Sequence, residues 1–116
     1  MKIKDIPNLD YRNKGTKEAV QDKLLELPFF KKYDDIEDLT FEKLESAMIK
    51  LQKKYPINLA YIMSTMLNDP PCYSLMIKHA TTHVHITTIC AASLREGYEK
   101  ALVYGYHYCK KFFSED

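Results

Sequence analysis

The chain has 116 residues, of which 46% are hydrophobic and 28% charged, with a formal charge of +1. That length fits one domain around one core. The apolar content excludes a disordered chain, and the near-zero charge excludes a global field that would recruit nucleic acid or an anionic membrane.

No run approaches the roughly 18 apolar residues of a membrane span. The opening "MKIKDIPNLD" lacks the apolar centre of a signal peptide. Cys72, Cys90 and Cys109 are odd in number and far apart, which argues against a disulfide framework and for reduced thiols in a cytoplasm. Arg12 and Arg95 are the only arginines. Base and phosphate recognition favours the arginine fork, so lysine dominance argues against a dedicated nucleic-acid reader.

Residues 1–15 read as an extended arm, broken by Pro7, Asn8, Asn13 and Gly15. Thr16 is the expected cap of a helix over 17–27, with Val20, Leu24 and Leu27 on one face and Pro28 ending it. Asp34, Asp35, Glu37 and Asp38 then precede another helix, where negative charge complements the dipole. Thr40 is the expected cap of a helix over 41–54. Its seam is Phe41, Leu44, Met48, Leu51 and Tyr55, and lysines cover the rest.

Pro56 suits the first turn of a further helix. "INLAYIMSTML" is apolar nearly all round, so a buried central helix over 56–68 is predicted, stopped by "NDPP". In the last third, "HVHITT" alternates like a strand. A helical reading, however, gathers Leu75, Met76, His79, His83, Ile86 and Cys90 on one arc, and it is the reading adopted, with a break at Ala92–Ser93. The expected fold is therefore all-α: a compact single-domain bundle of four to six helices over 16–116, behind the short arm.

The final predicted helix, 94–113, is amphipathic. One half of its wheel holds Leu94, Tyr98, Ala101, Leu102, Gly105, Tyr108, Cys109, Phe112 and Phe113. The other holds Glu96, Glu99, Lys100, His107, Lys110 and Lys111, and only Val103 is out of place. Ser93, Gly97, Ala101, Gly105 and Cys109 make a stripe of small residues at every fourth position. Each glycine costs a helix about 1 kcal/mol relative to alanine, and close packing against another element would offset it. That element is expected within the chain, with a second copy or another partner as the alternative. Tyr104 and Tyr106 lie at the margins, where a ring is buried and its hydroxyl wet. Gly97, Tyr98, Ala101, Tyr104, Gly105, Tyr106 and Tyr108 are accordingly the candidate interface.

His79 and His83 have the one metal-like spacing, four apart on a helix. The plainer reading is two hydrogen-bonded histidines, with a divalent metal as the alternative and no cofactor otherwise expected. Cys90 with His83, or Cys109 with another histidine, is a conceivable nucleophile pair, but no local motif surrounds either thiol. Glu96 and Glu99 read as solvated surface charges beside Lys100. "KKY" at 31–33, "QKKYP" at 52–56 and "CKKFF" at 109–113 are small lysine–aromatic clusters that a fold could bring into one groove. The expected function is a small non-catalytic cytoplasmic protein acting by protein–protein binding. Phage or mobile-element effectors, inhibitors and immunity proteins have this composition, and a homodimer is compatible with it. A nucleic-acid-associated helical protein and a metal-binding bundle are the alternatives.

Overall fold

The computed structural model describes residues 6, 11–31, 35–64, 72–79, 85–91 and 93–113. Within the strands, only Ile57, Asn58, Thr87, Ile89 and Ala91 have described side chains. The elements in order are helix α1 (Lys14–Leu25), a 3-10 turn (Ile36–Asp38), helix α2 (Phe41–Lys54), strands β1 (Ile57–Ser64), β2 (Cys72–His79) and β3 (His85–Ala91), and helix α3 (Leu94–Phe113).

The helical share is the larger, with 12, 14 and 20 residues in α1, α2 and α3 against 8, 8 and 7 in the strands. The expectation of an all-α bundle of four to six helices holds only in that coarser sense. Among the described residues there are three α-helices, and the stretch 57–91 carries a three-stranded antiparallel sheet in the order β1-β2-β3.

The reason for the error is physical. A short apolar run bounded by turn formers fits a buried strand as well as a buried helix. "INLAYIMS" is such a run, entered from Pro56 and followed in sequence by Pro70 and Pro71. In β3 the residues Ile86, Thr87, Thr88 and Ile89 are all β-branched, which favours the pleated backbone. The arc that grouped His79 and His83 on one helix therefore does not exist. β1 pairs β2 in continuous register from Ile57↔His79 to Ser64↔Cys72. β2 pairs β3 from Tyr73↔Ala91, with a shift after Ile77↔Thr87 that skips Ile86. One extra residue on β3 is the signature of a bulge.

Helix caps follow local chemistry. Asn13, not Thr16, caps α1: its side-chain oxygen accepts from Thr16 N–H at 3.2 Å, which places Thr16 inside the first turn. Asparagine caps at least as well as threonine, and the helix starts earlier than expected. It also stops at Leu25, short of Pro28. Lys14 and Gly15 thus leave the supposed arm, and Ile6 is fully buried in the core. The other residues of 1–10 lie outside the described ones. Asp35 caps the 3-10 turn through Ile36 N–H at 2.7 Å.

Thr40 caps α2 as expected, accepting from Lys43 N–H at 3.3 Å. Thr40→Ala is expected to lower stability by about 1 kcal/mol, within the range of cap losses, as read by urea denaturation. A midpoint equal to wild type would contradict the cap's role.

α3 is the hub. It packs on β2 and β3, and α1 and α2 both pack on it, while α2 also touches β1. The core is built where they meet: Val20 and Leu24 of α1, Leu44 and Leu51 of α2, Ile89 of β3, and Ala101 and Leu102 of α3 are each fully buried. Among the described residues no helix is long and apolar enough to cross a membrane.

Candidate functional site

Ser93 starts α3. Its hydroxyl accepts from Glu96 N–H at 3.1 Å, and its carbonyl accepts from Gly97 N–H at 3.1 Å. The break expected at Ala92–Ser93 is thus the helix N-terminus. Along the small-residue stripe, Gly97, Ala101, Gly105 and Cys109 are all buried within the chain. The helix that carries them packs on the protein's own sheet and helices.

The polar half of the wheel divides in two. Lys110 and Lys111 are exposed, as expected. Glu96, Glu99 and Lys100 are not solvated: their exposures are 7%, 1% and 1%. Lys100 Nζ pairs with Glu96 Oε1 at 3.0 Å. Glu99 accepts from Arg95 Nε at 3.1 Å and from Gln21 Nε2 at 3.2 Å, and Arg95 also donates to the Ile36 carbonyl at 3.2 Å. The Lys100 ammonium lies 5.1 Å from the centre of the Tyr11 ring. Val103, fully buried, sits on this same side.

The reason is the hub position. The first half of α3 is covered where Glu96, Glu99 and Lys100 lie, so these charges had to pair internally. The sequence carried the signal in the i,i+4 pairs Arg95–Glu99 and Glu96–Lys100, and in Val103 beside them. The Tyr11 hydroxyl is buried beside the Glu99 carboxylate. Burial first, then the charges of Glu99 and Glu96, pushes its pKa far above the ordinary range.

Cys109 is fully buried, and burial pushes its thiol up to about 12. It therefore stays protonated and is a poor nucleophile. Both shifts have the same sign. The unfolded chain releases the thiol proton near 9.0 and the Tyr11 proton near 10.0, whereas the folded chain retains both. Stability from these groups is complete below about pH 9 and falls as pH rises toward 12. Urea midpoints at pH 8, 10 and 11 should decline in that order. A midpoint constant to pH 11 would contradict the burial of these groups.

His79 closes β2, and His83 lies outside the described residues. His79 lies in a strand rather than on a helix, and the rest of the proposed pair falls outside the described residues. No cluster of three or more His, Cys, Asp or Glu among the described residues is placed to hold an ion. The suggested Cys90–His83 pair also falls partly outside the described residues. His107 is half-buried rather than a surface residue; burial, then Lys23 and Lys110, holds its pKa below the ordinary value against an opposing effect of Glu26.

The tyrosines separate by neighbour. Tyr98 meets Phe41 edge to face at 5.0 Å, and Tyr106 meets Phe29 likewise at 5.8 Å. Both are half-buried against their own chain. Tyr104 and Tyr108 begin a row instead. Their rings stack at 6.2 Å, Tyr108 continues to Phe112 at 4.6 Å, and Tyr108 also touches Phe113 at 6.1 Å. Burial raises the pKa of Tyr104, with Tyr108 adding to it and a hydrogen bond with Thr87 opposing it.

At the far end, Phe113 meets Tyr55 at 6.4 Å, which joins the C-terminal ends of α3 and α2. Lys54 lies over Tyr55 at 5.4 Å and Lys111 over Phe112 at 5.5 Å. The clusters at 52–56 and 109–113 therefore form one surface. Of 31–33, only Lys31 is among the described residues, and it is exposed. Phe112, which sequence reasoning placed on the apolar side, is 60% exposed.

Compared with known protein families, with curated proteins and with solved structures, the chain finds no match.

Proposed function

We propose that this chain is a small non-catalytic protein that binds another macromolecule through the surface shared by the ends of α2 and α3. One observation carries the reading: Phe112 is 60% exposed inside a contiguous group of rings with Tyr55, Tyr108 and Phe113. A soluble chain leaves large apolar side chains singly on its surface without consequence, but Phe112 is continuous with the half-buried rings of Tyr108, Phe113 and Tyr55, which extend the apolar surface around it. Ile49, 52% exposed, is the contrasting case, because Glu45, Ser46, Gln52 and Lys53 surround it on its helix.

The tyrosine-rich margin supports a protein partner. With it comes the compositional reading of a cytoplasmic effector, inhibitor or immunity-type protein of a phage or mobile element. Of the residues expected at the interface, Tyr104 and Tyr108 retain that role; Gly97, Ala101 and Gly105 are committed to the core, so a homodimer through the small stripe is not part of this proposal. A second reading, a nucleic-acid partner, is favoured by the lysines that lie over these rings.

Affinity capture with wild type and with a Phe112→Ser/Lys111→Glu variant tests the surface. Both changed side chains are exposed, so the variant should fold. It should lose material that wild type retains, and nuclease or protease treatment of that material gives the partner's class. Equal capture by wild type and variant would overturn the proposal.

A further inference from the structure

We infer that this surface docks single-stranded nucleic acid, with phosphates held by Lys53, Lys54, Lys110 and Lys111 and bases stacked on exposed Phe112 and the half-buried rings beside it. The inference rests on the binding-surface reading above and takes up its second, nucleic-acid form, with a protein partner as the competing outcome.

Charge complementarity is the first ground. All four lysines are exposed, they fall in the last turns of α2 and α3, and among the described residues none is in an ion pair. The Tyr55–Phe113 contact joins the two helix ends that carry these lysines. Each helix C-terminus carries only about half a negative charge, so the lysines are more than the dipoles require.

Chemistry of the rings is the second ground. Strand binding without sequence preference combines cations that follow the backbone with aromatic faces that accept any base. Here cation and ring alternate: Lys54 with Tyr55, Lys111 with Phe112, and Lys110 with Tyr106 at 6.0 Å. Protein interfaces share the aromatic enrichment but are depleted in lysine, so the combination favours the polyanion. A duplex hides its base faces in the stack. The lack of arginine on this surface removes the fork that reads base edges, which leaves a sequence-tolerant site. Tyr104 to Phe112 spans about 12 Å of helix, room for a short run of nucleotides.

Fluorescence anisotropy with labelled oligothymidylate, against a matched duplex over a salt series, provides the test. Wild type should bind the single strand more tightly than the duplex, with a log–log salt slope of about −2 to −3 for four lysine contacts. Phe112→Ala should weaken binding about tenfold. Lys110→Gln/Lys111→Gln should reduce the slope by about 1.4. Glu115 and Asp116 follow in sequence, outside the described residues, and Glu115→Gln/Asp116→Asn should tighten binding.

No binding at low salt, tighter binding of the duplex, or equal affinity of Phe112→Ala would each overturn the inference. If oligothymidylate fails while capture still depends on Phe112 and Lys111, this inference is wrong and the binding surface stands. If capture is also unchanged in that variant, both are wrong.

Discussion

Replacing Lys100 with methionine is expected to destabilise the protein by roughly 3–5 kcal/mol, because it removes the cation paired with a buried carboxylate. Lys100 is 1% exposed and its ammonium stands 3.0 Å from Glu96, itself 7% exposed. Methionine keeps the volume of the stem and deletes the charge. What remains is a carboxylate in a site with little water, beside the second buried carboxylate, Glu99. A small domain has only about 5–15 kcal/mol in total, so this variant approaches global unfolding. The pair itself need not be stabilising relative to apolar residues. Replacing both members, Lys100→Met with Glu96→Leu, should recover much of the loss. Urea denaturation followed by circular dichroism reads both variants. A loss below about 1 kcal/mol for Lys100→Met would mean that the site is wetter than its burial indicates.

Gly105→Leu is the second large effect, an expected net loss of about 2 kcal/mol. Gly105 is buried on the helix that packs against β2 and β3. A leucine side chain at this buried position must shift what covers it, which costs about 1–3 kcal/mol and sometimes more. Removing a helical glycine returns about 1 kcal/mol at most. The loss should appear as a lower urea midpoint at every protein concentration, because the packing is within one chain. A midpoint that rises, or one that depends on protein concentration in wild type but not in the variant, would assign the small stripe to contact between chains instead.

The helices were legible in the sequence to the extent that their signals were local. Thr40, the 3-4 seam of α2 and the break before Leu94 are short-range features, and the fold uses them as read. Asn13 was legible too, but was passed over because Gly15 looked like a breaker. The sheet was not legible for a different reason. "INLAYIMS" is a short, nearly continuous apolar run, and periodicity does not tell a strand from a helix in such a run. Strand pairing is also non-local: Ile57 meets His79 across the chain, and nothing near Ile57 announces it.

The buried charges of α3 were misread because a wheel assumes that one side of a helix faces water. α3 is enclosed by α1, α2 and the sheet over its first half, and the enclosure is tertiary. Val103, the apolar residue on the polar side, was the local trace of it. The candidate site was half legible. The lysine–aromatic clusters at 52–56 and 109–113 were visible as separate stretches, but their union depends on Tyr55 meeting Phe113. The small residues named with the tyrosines as an interface belong to the core.

Site-specific photo-crosslinking tests the binding surface most directly. A photoreactive phenylalanine analogue would replace Phe112 in one protein and Ile49 in another, the two large apolar side chains exposed among the described residues. Irradiation in cells that naturally produce the protein should give a discrete adduct from position 112 and none from position 49. Adducts of equal yield from both positions, or none from position 112, would contradict the assignment of this surface.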